Sequence, residues 1–196
     1  MRPSFIRALR HDQRGAALIE FALVTPVMLV MLMGFGDMLY QVYTQSILDG
    51  ELQKAARDSG IEGGAANTST IDAKVQTMVK KIAPGATFTS TRKSYDSFSE
   101  VAPEPFTDAN GNGVRDPGEC FTDENGNGTW DQDPGIAGQG GASAVTVYTM
   151  TATYPRLFPV AGLLGWPQTQ TVSATTLLKN QPYATQATTA NVTVCT

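Results

Sequence analysis

The sequence predicts an α+β protein in which a long N-terminal transmembrane α-helix continues into a small exported domain with a second helix and a mainly antiparallel sheet. Three observations carry this. Residues 16–36, AALIEFALVTPVMLVMLMGFG, are apolar apart from Glu20, and at about 1.5 Å per residue a helix of that length spans about 30 Å, a bilayer core. Apolar positions then recur at helical intervals through Leu39, Tyr43, Ile47, Leu48, Leu52 and Ala56. Far downstream, 143–154 and 168–178 are rich in Val, Thr and Tyr, the composition of strands.

The membrane segment is justified by what it lacks and by its flanks. A helix on a soluble protein shows a polar face, and this one shows none. Arg2, Arg7, Arg10 and Arg14 precede it, whereas Asp37, Asp49 and Glu51 follow it. The positive-inside rule therefore puts residues 1–15 in the cytoplasm and those from about 38 onward outside. A cleaved secretory signal would have a shorter apolar core followed by small residues. Here Met38-Leu39-Tyr40 follows, and the small residues Gly15, Ala16 and Ala17 stand before the run.

Two residues inside the run need reasons. Pro26 removes one backbone hydrogen bond, which transmembrane helices tolerate. Glu20 places a carboxylate in hydrocarbon, which is costly without a partner. One reading has it one turn from the cytoplasmic end, reaching the headgroups. The other has the leader cut after Gly15, so that the new amine of Ala16 neutralises Glu20 within or between subunits.

The string Arg14-Gly15-Ala16-Ala17-Leu18-Ile19-Glu20-Phe21-Ala22-Leu23-Val24-Thr25-Pro26 resembles the processing site and helix start of the TadE-like, pilin-related proteins of bacterial tight-adherence (Tad) pilus systems. The resemblance implies cleavage by a prepilin peptidase between Gly15 and Ala16, and a role in assembly for Glu20 and the aromatic Phe21. It implies partners among other pilin-like subunits and Tad inner-membrane assembly proteins. It is specific over about residues 14–36. Val145 to Tyr154 resembles the family's late strand, and Leu177-Leu178-Lys179-Asn180-Gln181-Pro182-Tyr183 its closing segment, with Gln181 where an acid is expected.

The chain thus divides into a basic cytoplasmic leader (1–15), a transmembrane helix (16–37), a helical stalk (38–60) and an exported domain (61–196). In the last, a helix is expected over 70–82, with Ser69 and Asp72 as a capping pair and Ile71, Val75, Met78, Val79 and Ile82 on one apolar face. Pro84-Gly85 stops it. Strands are expected at 86–91, 143–154, 168–178 and 191–195. The apolar loop between Tyr154 and Pro167, with Leu157, Phe158, Leu163, Leu164 and Trp166, is expected to be core rather than a membrane or partner contact.

One stretch, 104–135, is an insertion that the resemblance does not explain. It carries eight acids between Glu104 and Asp133 against one base, Arg115, and repeats itself at a period of 15 residues. Phe106-Thr107-Asp108 recurs as Phe121-Thr122-Asp123, and Asn110-Gly111-Asn112-Gly113 as Asn125-Gly126-Asn127-Gly128. The first copy fits the calcium-loop template: Asp108, Asn110 and Asn112, then the Val114 carbonyl, Asp116 and Glu119. Alternate oxygens in a tight turn supply the six to eight ligands that Ca²⁺ takes. The second copy offers Asp123, Asn125, Asn127, Thr129 and Asp131. Its twelfth position is Pro134, with Asp133 as the nearest substitute. Pro103, Pro105 and Pro117 exclude a paired-helix EF-hand of the sensor type, so the loops resemble the EF-hand-like repeats of dockerin-type and other extracellular modules, and the expected cofactor is structural Ca²⁺. The competing reading is two Asn-Gly turns in an acidic loop.

Cys120 and Cys195 are the chain's two cysteines. They lie in no metal-binding spacing, and in an exported chain they are expected to form one disulfide. His11, the one histidine, sits in the leader, which excludes Ser/His/Asp and Cys/His catalysis in the exported domain. A net charge of −4 gives no reason to expect nucleic-acid binding. The expectation is a non-enzymatic minor pilus subunit of the bacterial inner membrane, with its C-terminal domain in the periplasm. The alternative is an uncleaved, signal-anchored envelope protein with a calcium-stabilised binding domain.

Overall fold

In a computed structural model of the chain, residues 15–163, 165–186 and 188–195 are described. Most of the basic leader and Leu164 lie outside them. Helix α1 (Ala16–Ser59) is continuous for 44 residues and contains Pro26. A 3₁₀ turn (Gly64–Asn67), helix α2 (Thr68–Lys80) and strand β1 (Thr87–Tyr95) follow, then a 3₁₀ turn (Phe98–Glu100), β2 (Cys120–Asp123), β3 (Ile136–Ala137), β4 (Val145–Pro155), one helical turn (Val160–Leu163), β5 (Thr169–Lys179) and β6 (Val192–Cys195). The main sheet has the order β3-β1-β4-β5, and β2 pairs with β6 in a separate ribbon. The expected α+β class is the observed one.

The chain divides into two compact units. One holds α1 up to Val42 together with Arg156–Gln170. Its helix is long and apolar enough to cross a membrane, and none of its most apolar stretch is buried in protein. Leu18, Phe21, Leu23, Val27, Leu32 and Phe35 all face outward.

The other unit holds Tyr43–Pro155 and Thr171–Thr196. Here α1 buries Thr44, Leu48, Leu52, Ala55, Ala56 and Ser59, a single face at three- and four-residue intervals. Tyr43 is exposed, so the buried stripe runs one residue off the expected one at its start. The turn after the helix is tight: a Cβ at Gly64 would stand 2.2 Å from the Ser59 carbonyl oxygen, so only glycine fits.

Helix α2 begins two residues earlier than expected, and Asp72 does not cap it. Asp72 is buried and accepts hydrogen bonds from the Ser90 hydroxyl at 2.6 Å, from both terminal nitrogens of Arg92 and from the Tyr148 hydroxyl. The Arg92 guanidinium lies 3.8 Å from the centre of the Tyr148 ring. A carboxylate that reads as a cap by spacing is thus the ionic link between α2 and the sheet. Ile71, Val75 and Val79 are buried beside it, whereas Met78 stays at the exposed margin.

Strand alternation builds the rest. On one face β4 buries Tyr148, Met150, Ala152 and Tyr154, and β5 buries Gln170, Val172 and Ala174. Successive side chains of a strand point to opposite faces, so the other face carries hydroxyls in register. Thr87 pairs with Thr153, Thr89 with Thr151 and Thr91 with Thr149. Thr149, Thr151 and Thr153 in turn share hydrogen bonds of 2.9–3.0 Å with Thr175, Ser173 and Thr171 on β5. The turn at Asn180 and Gln181 closes this unit. Asn180 is buried, donates to the carbonyls of Gln139 and Gly141, and accepts from the Gln139 amide. The Gln181 N–H donates to the Gly60 carbonyl at 2.8 Å. Cys120 and Cys195 stand opposite each other in the β2–β6 ribbon and are bonded, across a separation of 75 residues.

Burial raises the Asp72 pKa, but the hydrogen bonds from Arg92, Ser90 and Tyr148 and the Arg92 charge outweigh it, so the net shift is downward. A depressed carboxyl contributes stability that is present above its unfolded-state pKa and is lost as pH falls through the folded one. Acid titration of unfolding should therefore be steeper in the parent chain than in Asp72→Asn. Asp72→Ala strands Arg92 and should cost about 3–5 kcal/mol in denaturant unfolding. Reducing the disulfide frees a loop whose closure is worth about 4 kcal/mol in the chain-entropy model, and should lower the denaturation midpoint accordingly.

Candidate functional site

The acidic segment 104–135 folds into two loops on either side of β2. Glu119 immediately precedes the strand and Asp123 ends it. Residues 105–107 run antiparallel to 120–122: Thr107 N–H donates to the Cys120 carbonyl, Thr122 N–H to the Pro105 carbonyl, and Phe106 bridges Phe121. Phe121 is buried beneath the Arg115 guanidinium, and Phe106 meets Trp130 edge to face at 6.1 Å. This small apolar centre fixes where the two loops start.

The loops have one conformation, used twice. In the first, the Asp108 carboxylate accepts backbone N–H groups from Gly111, Asn112 and Gly113. The Asn110 side-chain oxygen accepts from Asn112 N–H, and that of Asn112 from Val114 N–H. In the second, Asp123 accepts from Gly126, Asn127 and Gly128, Asn125 from Asn127, and Asn127 from Thr129. Asp116 and Asp131 each accept from the two asparagine amides of their own loop. Gly111, Gly113, Gly126 and Gly128 all sit at φ 76°, a left-handed turn that favours glycine. The N–H of Gly113, then those of Gly111, Asn112 and Asn110, hold the exposed Asp108 carboxyl below its ordinary range against a smaller desolvation.

The twelfth position separates the copies in sequence but not in space. Glu119 accepts the N–H of Ala109 and of Asp116, the second and ninth residues of its loop. In the second loop the corresponding N–H groups, Glu124 and Asp131, both donate to Glu104, at 2.9 and 2.8 Å. The register that pairs Phe106 with Phe121 puts Glu104 opposite Asp123, and Glu104 is 1% exposed. Asp133, the substitute expected by proximity, instead accepts from the Tyr95 hydroxyl at 2.7 Å and from the Lys93 amine. Glu104 was missed because a repeat is read forward from each aspartate, whereas this carboxylate precedes both copies. The one available signal is an acid two residues before the repeated Phe-Thr-Asp: Glu104 stands before Phe106 as Glu119 stands before Phe121.

Among the described residues, no group of three or more His, Cys, Asp or Glu side chains stands close enough together to hold a metal ion. The side-chain oxygens of each loop are carboxylate and amide oxygens: Asp108, Asn110, Asn112, Asp116 and Glu119 in the first, Asp123, Asn125, Asn127 and Asp131 in the second. The Asn110, Asn112 and Asn125 oxygens each accept one backbone N–H and keep a second lone pair, whereas that of Asn127 accepts both the N–H and the hydroxyl of Thr129. Hard oxygens of this kind suit Ca²⁺ rather than a transition metal.

The second candidate is the head of α1. The Ile19 N–H donates to the Gly15 carbonyl at 3.2 Å, so Gly15 is the last residue before the helix and Ala16 its first. Glu20 and Phe21 both lie on the outside of the helix, Phe21 at 66% exposure, among exposed leucines and isoleucine. Thr25 returns its hydroxyl to the Phe21 carbonyl at 2.6 Å, just before Pro26. This rod carries its carboxylate one turn in from its end and is free to pack laterally.

No curated protein and no solved structure matches the chain. Residues 15–57, which take in the head of α1 and nearly all of the helix, match the family model described as TadE-like protein.

Proposed function

We propose that this chain is a pilin-like minor subunit of a Tad-type pilus, cut by a prepilin peptidase between Gly15 and Ala16. What supports the reading is one observation: the TadE-like match over 15–57 coincides with a continuous helix whose most apolar stretch is not buried in protein. Exposed apolar surface of that extent needs lipid or other helices. In this reading the leader stays in the cytoplasm, the C-terminal domain is periplasmic, and Glu20 meets the new amine of Ala16 in the membrane. Phe21 packs against neighbouring subunits. The role is structural and non-enzymatic, in assembly or adhesion, with other pilin-like subunits and Tad inner-membrane proteins as partners.

Mass measurement of the membrane-extracted protein should place Ala16 at the mature N-terminus. An intact Met1 in cells with an active prepilin peptidase would contradict the reading. Glu20→Ala should leave the protein in the membrane yet abolish its co-purification with other pilus subunits.

Structural Ca²⁺ in the two loops belongs to the same proposal. Asp108, Asn110, Asn112, the Val114 carbonyl, Asp116 and Glu119 would hold one ion. Asp123, Asn125, Asn127, Thr129 and Asp131 would hold the second, closed by Glu104 rather than Asp133. Affinity is expected near that of extracellular modules, roughly 0.1–1 mM. Calcium titration of the full chain in detergent should protect 104–135 from proteolysis and saturate at about two ions. Glu119→Gln and Glu104→Gln should each remove about one ion, while Asp133→Asn should remove none. No protection at millimolar Ca²⁺ would rule out the metal.

A further inference from the structure

The segment Arg156–Gln170 belongs to the same compact unit as the apolar half of α1. Asp37, the first charge after the apolar run, is buried and grips it. One carboxylate oxygen accepts the N–H groups of Leu157 and Phe158 at 3.0 and 3.3 Å, and the other faces Arg156 at 3.4 Å. Gln170 donates to Gln41 at 3.3 Å. Gly36 allows the close approach, since a Cβ there would stand 2.7 Å from the Phe158 ring. Inside the segment, Arg156 donates to the Pro167 carbonyl and Trp166 N–H to that of Ala161.

The segment is core only in part, short of the expectation: Phe158 is half-buried, and Leu164 lies outside the described residues. Val160 and Ala161 are buried, but Leu157 is 58% and Trp166 60% exposed. A cleft of about 500 Å³ opens between it and the helix, lined by Val30, Met31, Gly34 and Phe35 on one side and by Arg156 and Trp166 on the other. From Asp37 back to Val30 is about 10 Å along a helix. A segment that reaches Val30 therefore lies alongside the last two turns of the apolar run.

The geometry points to a second membrane contact: Leu157, Phe158 and Trp166 enter the headgroup–acyl boundary of the outer leaflet, and acyl chains fill the cleft. The inference rests on the reading that α1 spans the bilayer. Lipid is favoured over a second copy of the chain by continuity, because one wall of the cleft is the spanning helix itself. Charge agrees with this. Arg156 is the segment's one charged residue, and Asp37 answers it. Tryptophan is favoured at this depth, where its ring meets lipid and its N–H meets water.

The test is tryptophan quenching in the full-length protein, reconstituted in phosphatidylethanolamine–phosphatidylglycerol bilayers doped with brominated phosphatidylcholine. Trp130→Phe leaves Trp166 alone, and Trp166→Phe supplies the Trp130 background for subtraction should the first variant fold poorly. Bromine near the headgroup end of the acyl chain should lower Trp166 emission to about half, with a weaker effect from bromine near the methyl end. A double Trp→Phe chain carrying Leu23→Trp reports the span itself and should be quenched most by the deeper bromine. Quenching at Leu23→Trp without quenching at Trp166 would overturn the inference and leave the span standing. Trp166 shielded from lipid but cross-linking between copies would assign the surface to a second subunit and overturn it equally. No quenching at either position would instead overturn the span.

Discussion

Water cannot solvate the first half of α1 without a large cost. Leu18, Ile19, Phe21, Leu23, Met31, Leu32 and Phe35 are each more than 60% exposed in the chain alone. At about 25 cal/mol per Å² of apolar surface, so continuous a stripe must be covered by lipid or by other helices. That requirement bears on the unit that holds this half of the helix. It accounts for a helix that runs unbroken through Pro26, for the isolation of Glu20 among apolar side chains, and for the first charge past the run, Asp37, being buried against backbone N–H groups rather than left free.

The second unit solves a different problem, which is to order a polar segment on a small core. Its sheet is stabilised by side-chain alternation, by the Asp72–Arg92–Tyr148 link to α2, and by Asn180 at the closing turn. The 104–135 segment has little apolar content of its own. It is held by one small aromatic centre around Phe121, by the bond between Cys120 and Cys195, and by carboxylates that gather backbone N–H groups. Two loops with the same hydrogen-bond pattern show that the 15-residue repeat is structural as well as textual. The second loop borrows Glu104 from upstream, which keeps it equivalent to the first despite Pro134.

Much of this was legible in the sequence because the controlling forces are local. The span, the 3.6-residue rhythm of α1 and α2, and the Val/Thr-rich β4 and β5 follow from patterns that packing only reinforces. The failures are non-local. Asp72 looks like a cap because its spacing from Ser69 fits one, while its true partners, Ser90, Arg92 and Tyr148, come from two distant strands. β2 is only Cys120–Asp123 and depends on a partner some 70 residues later. Glu104 takes its role from a register that places it opposite Asp123. Leu157 and Trp166 read as core because periodicity records hydrophobicity, not whether protein or lipid covers it.

The central claim is that α1 is embedded in a bilayer with the domain after it on the outer side. It is tested most directly by topology in intact cells. Both native cysteines are bonded to each other, so Tyr183→Cys, an exposed position, supplies a single reporter thiol. The account predicts that a membrane-impermeant maleimide labels it once the outer membrane is permeabilised, and that the labelled chain stays in the membrane through an alkaline carbonate wash. A thiol labelled only after the inner membrane is broken, or a chain released by the wash, would contradict it.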